Sequence, residues 1–310
     1  LVLMDRVGRV AFVLRKLDYA LWLVHVAMWV WRRRPRALHL VLGGAYLALP
    51  IQLIGIAPPA VLSVVCPNLR EMVGSRLALP LYRLALRFAA RVDALTESVR
   101  RMVEAEGVMA EQIYVPTGSC VDTQRFRTAD KEPWVVFCGR LIPDKGPMLF
   151  MRASGLVCDR MKGRLPNLRI FLLGEGPLRA EIDAQVEERG LGQWMQVGWN
   201  EHVESVLSHA VVFVSLQRID NYPSQALLEA MASCAAVVAT DVGLTRKLVD
   251  EQVGRLVRPD PESVAQAIIS LLDDPIQTAA MGRRARERVV QQHSLERYLD
   301  YIQNVYATVG

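Results

Sequence analysis

Cysteine is scarce in this 310-residue chain. Its five copies, at 66, 120, 138, 158 and 234, are odd in number, scattered and free of C-x-x-C spacing, which excludes a disulfide framework or a zinc site and points to a reducing compartment. They read as buried apolar fillers. Long apolar runs are missing too: the nearest approach to about 18 uninterrupted apolar residues, 37–65, is broken by His39, Gln52, three glycines and three prolines. No spanning helix is expected, and a cytoplasmic location, at most peripheral on the inner face of a membrane, follows. No signal peptide is visible, because Asp5, Arg6 and Arg9 precede the first apolar stretch. Opening at Leu1, the chain reads as a fragment without its true start. Internal repeats, low-complexity segments and nucleic-acid motifs are absent, so no nucleic-acid partner is expected.

What is present is a globular composition, 52% hydrophobic and 22% charged, with length enough for two domains. The net charge of +5 is unevenly placed: residues 1–127 hold 17 Lys/Arg against 9 Asp/Glu, the remainder 20 against 23. The basic first half suggests an anionic partner, for which membrane phosphates or an acidic acceptor fit better than nucleic acid. Within it, helical spacing over 8–34 ends in Arg32-Arg33-Arg34. Segments 37–42 and 59–65 read as strands around an apolar helix at 43–56, the order of a parallel βαβ unit. Leu81 to Arg91 places Arg83, Arg87 and Arg91 on one helix face, either a membrane contact or a solvated basic face. His25 and His39 sit in apolar context and read as core.

The polar stretch 122–133 reads as a linker. After it, strands near 134–138, 168–173, 194–198, 211–215, 235–240 and 254–257 alternate with helices, the doubly wound pattern of a Rossmann-like domain. The tail from Pro261 is helical, broken at Asp273-Asp274-Pro275.

Three turns on the carboxyl edge of that sheet carry chemistry. Gly139-Arg140-Leu-Ile-Pro-Asp-Lys145-Gly146 sets a guanidinium and an ammonium around a turn that enters a helix, which suits a diphosphate. Gly174-Glu175-Gly176-Pro177 permits close backbone approach. Asp220-Asn221-Tyr-Pro223-Ser224-Gln225 leads into a short apolar helix starting near 223–224 and carrying one acid, Glu229. Each alone has a bland reading as a surface turn; together they indicate one ligand site.

Residues 134–260 resemble the donor domain of GT-B glycosyltransferases of the large retaining family 4. The resemblance rests on Gly139-Arg140 with Lys145-Gly146, Gly174-Glu-Gly-Pro177, Asn221-Tyr-Pro through Leu228-Glu229-Ala-Met-Ala, Val237 to Gly243 and Gly254 to Pro259. Val115-Pro-Thr-Gly118 with Val121-Asp122 and Phe126 resembles that family's interdomain hinge. It implies an α/β, GT-B fold of two Rossmann-like domains facing a cleft, the first truncated: 1–127 on the acceptor side, 128–290 for the nucleotide-sugar donor, and a helix at 291–310 crossing back. By the same resemblance Arg140 and Lys145 are catalytic and hold the donor diphosphate, and Glu229 binds ribose hydroxyls. Gly139, Gly146, Gly174, Glu175, Gly176, Asp220, Asn221, Ser224 and Gln225 complete the donor site.

The implied reaction transfers a sugar, with retention, from a UDP- or GDP-sugar to a glycan or lipid-linked acceptor. No cofactor or metal is expected, and no Asp-x-Asp motif is present. A catalytically inactive GT-B scaffold is the alternative; a dehydrogenase is excluded by the lack of G-x-G-x-x-G after the first donor-domain strand. One departure concerns the acidic pair that the family writes as E-x(7)-E. Its first acid falls at Asn221, with Asp220 one residue further away, and either a bulged turn brings Asp220 into place or the Asn221 amide works there. The flexible turn favours Asp220.

Overall fold

The structure, a computed structural model, describes residues 21, 24–41, 58–66, 68–70, 79–116 and 118–309. They fall into two compact units, one containing the chain to Pro116 together with Asp300–Gly310, the other Thr117–Leu299.

In the first unit a helical stretch at 24–33 precedes four parallel strands: β1 (Leu38–Val41), β2 (Ala60–Val64), β3 (Arg91–Ala94) and β4 (Ile113–Tyr114), in spatial order β1-β2-β3-β4. The expected helix at 43–56 lies outside the described residues. Every residue of β2 is buried, as a strand covered on both faces requires. One face packs on Tyr82, Ala85 and Leu86 of α1 (Leu79–Phe88) and on Val99 and Val103 of α2 (Glu97–Ala105), which Thr96 caps by accepting from Val99 N–H at 3.3 Å.

The expected basic helix face is shorter than the periodicity suggested. Arg91 is the first residue of β3, and its guanidinium donates to Thr308 Oγ1 and O. Arg83 pairs with Glu106 at 2.7 Å, and Arg87 donates to Glu106 O. Ala89-Ala90 close the helix because Ala90 N–H joins the sheet at Ala60 O.

The second unit is built on six parallel strands: β5 (Glu132–Cys138), β6 (Arg169–Leu173), β7 (Met195–Gly198), β8 (Ala210–Ser215), β9 (Ala236–Thr240) and β10 (Gly254–Val257). Their order is β10-β9-β8-β5-β6-β7. Side chains alternate between two buried layers. Val135, Phe137, Ile170, Leu172, Val212 and Val214 face α3 (Pro147–Met161) and α7 (Pro261–Asp273). Val136, Phe171, Leu173, Phe213 and Val237 face α5 (Val203–His209), α6 (Gln225–Ala232) and α8 (Pro275–His293). Between these helices, in chain order, lies α4 (Arg179–Glu188), and α9 (Leu295–Ala307) ends the chain. Because the period-2 pattern supplies apolar residues to both faces, helices must cover both.

The division between units falls at Pro116, earlier than the polar composition of 122–133 suggested. Val121 N–H donates to His293 O, Phe126 is buried, and Arg286 donates to the carbonyls of Thr123 and Phe126. The cysteines also differ from expectation, since only Cys158 is buried and the other four are half-buried.

Candidate active site

Strand order places the first and fourth strands of the second unit, β5 and β8, side by side while their crossovers leave in opposite directions. That reversal opens a crevice outside their carboxyl ends, the place where doubly wound sheets bind ligands. The loops leaving β5, β6, β8 and β9 all converge there.

Backbone hydrogen bonds hold them together. Leu141 N–H donates to Glu175 O at 2.8 Å and Leu141 O accepts from Leu178 N–H at 3.1 Å, which joins the first loop to Gly174-Glu-Gly-Pro177. A Cβ on Gly176 would lie 2.6 Å from Leu141 O, so glycine is needed for this approach. Gly139 N–H donates to Leu173 O, and Gly174 N–H to Gly198 O. On the other side Arg218 N–H donates to Asp144 O at 2.9 Å. Gly146 is left-handed at φ +73° against Leu216, and a side chain there would overlap the Leu216 carbonyl.

Arg140 is exposed on this first loop; Lys145 is half-buried in the turn Pro143–Lys145 that leads through Gly146 into α3. Neither side chain has a hydrogen-bond or ion-pair partner among the described residues. Burial holds the Lys145 ammonium below its ordinary pKa, the Arg140 charge pushes the same way, and Asp144 opposes them. Two neighbouring cations with no hydrogen-bond or ion-pair partner among the described residues can hold an anion.

Glu229 is half-buried on α6, and burial raises its carboxyl above the usual value of 4.5, against a hydrogen bond from Gln225. The Cys138 thiol, at the end of β5, is pushed up to about 11 by burial and by the Glu229 charge, which sets Glu229 close to the origin of the Arg140 loop. Gln225, expected at the donor, holds Glu229. Its Nε2 donates to Glu229 Oε1 and to Cys120 O, both at 3.2 Å, and its Oε1 accepts from Ser119 Oγ at 2.5 Å. Ser119 and Cys120 carried no signal in the sequence, since they lie more than a hundred positions from the helix they support.

Ser224 occupies the N-cap of α6, which begins at Gln225; its hydroxyl makes no cap hydrogen bond, and only its carbonyl takes the Leu228 N–H. Asp220 is exposed, and its Oδ1 accepts from Leu244 N–H at 3.3 Å, tying the turn to the loop after β9. Asn221 is exposed, with no side-chain partner among the described residues. Glu175 is exposed and meets Arg179 at 3.4 Å. Among the described residues no cluster of three or more His, Cys, Asp or Glu is arranged to hold a metal.

The two histidines read as core prove otherwise. His25 is exposed. In the first unit His39 Nε2 meets Ser63 Oγ at 2.7 Å, Ser63 donates to the buried Asp93 at 2.6 Å, and His39 Nδ1 meets Tyr306 OH at 2.7 Å. Since the Ser63 proton is directed at Asp93, Nε2–H donates and Nδ1 accepts, a neutral imidazole; burial, opposed by Asp93, lowers its pKa.

Comparison with known proteins gives consistent neighbours. The family model described as "Glycosyl transferases group 1" matches residues 121–288. An alpha-D-kanosaminyltransferase of Streptomyces kanamyceticus is 26% identical over 250 residues, 74% of this chain and 63% of that protein. A D-inositol 3-phosphate glycosyltransferase of Kineococcus radiotolerans is 31% identical over 243 residues, 64% and 53% respectively. A phosphatidyl-myo-inositol mannosyltransferase of Mycolicibacterium smegmatis is 29% identical over 231 residues, 70% and 57%. The chain therefore spans less than two thirds of each of these relatives. Among solved structures, Anabaena HepE in complex with UDP superposes at a TM-score of 0.75 with 16% identity, covering 92% of this chain and 82% of that one. Sucrose-phosphate synthase of Thermosynechococcus elongatus gives 0.72 with 20% identity, covering 92% and 76%. Both likenesses concern the fold, the two-domain GT-B architecture expected from the motifs.

Proposed function

Because the chain belongs to the group 1 glycosyl transferases, we propose that it moves a sugar from a nucleoside-diphosphate sugar to an acceptor hydroxyl with retention at the anomeric carbon. The observation that carries this is the pair of cations, Arg140 and Lys145, without a partner among the described residues, on the loop at the switch point. Breaking the bond between anomeric carbon and phosphate builds negative charge on the leaving diphosphate, and cations already in place stabilise it without reorganising. The reading assigns that charge to Arg140, Lys145 and the start of α3, and gives no step to a metal. A donor phosphate oxygen on the same face accepts the proton of the attacking hydroxyl. Glu229 takes the ribose hydroxyls, aimed by Gln225, and the 220–221 turn meets the sugar.

The acceptor in this reading is a glycan or a lipid-linked molecule at an anionic inner membrane surface. Among the described residues no helix is long and apolar enough to cross a membrane. Peripheral contact is supported by the stretch 21–34, where Leu21, Val24, Met28, Trp29 and Trp31 are exposed beside Arg32, Arg33 and Arg34. Apolar residues with a polybasic end suit an interfacial helix.

The test is a screen of UDP- and GDP-sugars for thermal stabilisation, followed by nucleoside-diphosphate release with the donor found. One base should stabilise the protein and Lys145→Met should remove the shift. Stabilisation by neither series would overturn the reading.

A further inference from the structure

At the opposite edge of the second unit, where the strands begin, lies a cavity of about 430 Å³ in the size range of small-molecule sites. Its walls are mostly apolar: Pro133 of β5, Leu165 ahead of β6, Val211 of β8, and Leu271 with Leu272 at the end of α7. Five polar side chains share it: Lys131, Glu132, Asn167, Thr278, whose hydroxyl donates to Leu271 O, and the thiol of Cys234.

Lys131 is the unusual member. Its Nζ donates to Ala210 O at 2.8 Å and to Ser233 O at 2.6 Å, carbonyls just at or before the starts of β8 and β9. An ammonium has three hydrogens, so one donor is left over, and no carboxylate pairs with it among the described residues. Glu132 is exposed and makes no ion pair with it. Burial brings the Lys131 pKa down to about 8, with the Cys234 charge working the other way. A cation half-stripped of water, facing a mostly apolar cavity with a donor to spare, lacks its counter-ion.

We propose that this cavity is a second ligand site, taking a small molecule with an apolar body and one carboxylate, the carboxylate seated on Lys131. Complementarity points to the class: the mostly apolar walls suit an apolar body better than a sugar or nucleotide, and the single ammonium, with Glu132 exposed and not paired to it, selects an anion over a neutral or cationic chain. The site shares no residue with the donor-binding loops, so it stands or falls independently of the glycosyl-transfer reading.

Octanoate and octylamine are the probes, measured by titration calorimetry together with peptide-resolved alkylation of Cys234. Octanoate should saturate one site and slow Cys234 alkylation without slowing that of Cys66 in the other unit. Octylamine should bind at least tenfold more weakly. Lys131→Met should weaken octanoate at least tenfold, the loss of a charge-assisted hydrogen bond. Ala279→Trp, a substitution at an exposed position of the cavity rim on α8, should abolish binding while leaving the melting temperature near wild type. If octanoate does not saturate, or binds wild type, Lys131→Met and Ala279→Trp alike, the proposal fails, and Lys131 is only a clamp on two strand-end carbonyls beside water.

Discussion

Lys145→Met removes a half-buried ammonium and keeps most of its aliphatic stem. Two influences in the free protein oppose the charge, burial and the neighbouring Arg140 guanidinium, and only Asp144 favours it. Deleting it therefore relieves repulsion and breaks no hydrogen bond, so stability should stay within about 0.5 kcal/mol of wild type or rise slightly. Transfer should respond very differently. A pre-placed donor to developing negative charge contributes about 3 to 4 kcal/mol, so turnover should fall about 100- to 1000-fold. Arg140→Ala should behave alike, its guanidinium being exposed and without a partner among the described residues. The two act on one diphosphate, and the double variant should lose less than the sum of the single losses. Nucleoside-diphosphate release with the identified donor gives the rate, and a urea midpoint on the same samples gives stability. An unchanged rate in both single variants, or a midpoint that falls in step with the rate, would refute the reasoning.

Asp220→Asn keeps an oxygen that can accept from Leu244 N–H, so it isolates the carboxylate charge from the anchoring of the turn. Transfer should fall about tenfold or more while Asn221→Ala stays near wild type, and the reverse pattern in parallel assays would make the Asn221 amide the working group. Gly146→Ala should cost about 2 to 4 kcal/mol, from a left-handed φ of +73° and overlap with the Leu216 carbonyl, and should weaken UDP binding; an unchanged urea midpoint would contradict it. Since burial raises the Glu229 pKa above 4.5, donor affinity should be lost as pH falls through that raised value, whereas this group's share of folding stability rises over the same window because the folded state binds the proton first. Calorimetric affinities from pH 8 to pH 5 check this, and Glu229→Gln should flatten the profile. Vesicle sedimentation should show binding to anionic but not neutral bilayers, weakened by salt and by Arg32→Gln, Arg33→Gln and Arg34→Gln together, at about 1 kcal/mol per cation; equal binding to both vesicles would remove the electrostatic part.

The six strands of the second unit and the glycine turns after them were legible because each depends on neighbours in sequence. A β-branched run such as Val211 to Val214 has one period, and a Gly-x-Gly turn has one use at a strand end. The helix break at Asp274-Pro275 was legible for the same reason, since Asp274 caps and Pro275 opens α8. The basic helix face was misread at Arg91 because helical spacing continues across Ala89-Ala90, while the Ala90 N–H is captured by a strand thirty residues upstream. His39 read as core because its neighbours in sequence are apolar; its polar partners come from β2 and from the end of α9, 267 residues away for Tyr306.

By itself the sequence determined the alternation of strands and helices, the doubly wound class, and which residue types stand at each turn, since these follow from local periodicity and backbone permissiveness. Tertiary structure alone decided the strand order that sets the loops of Arg140 and Asp220 on either side of one crevice. It also decided that Lys145 has no hydrogen-bond or ion-pair partner among the described residues while Gln225 has three, that Asp220 is tied to Leu244, and that Lys131 stands over a mostly apolar cavity. Hydrogen bonding and burial between segments a hundred residues apart are properties of the closed chain, and no local pattern encodes them.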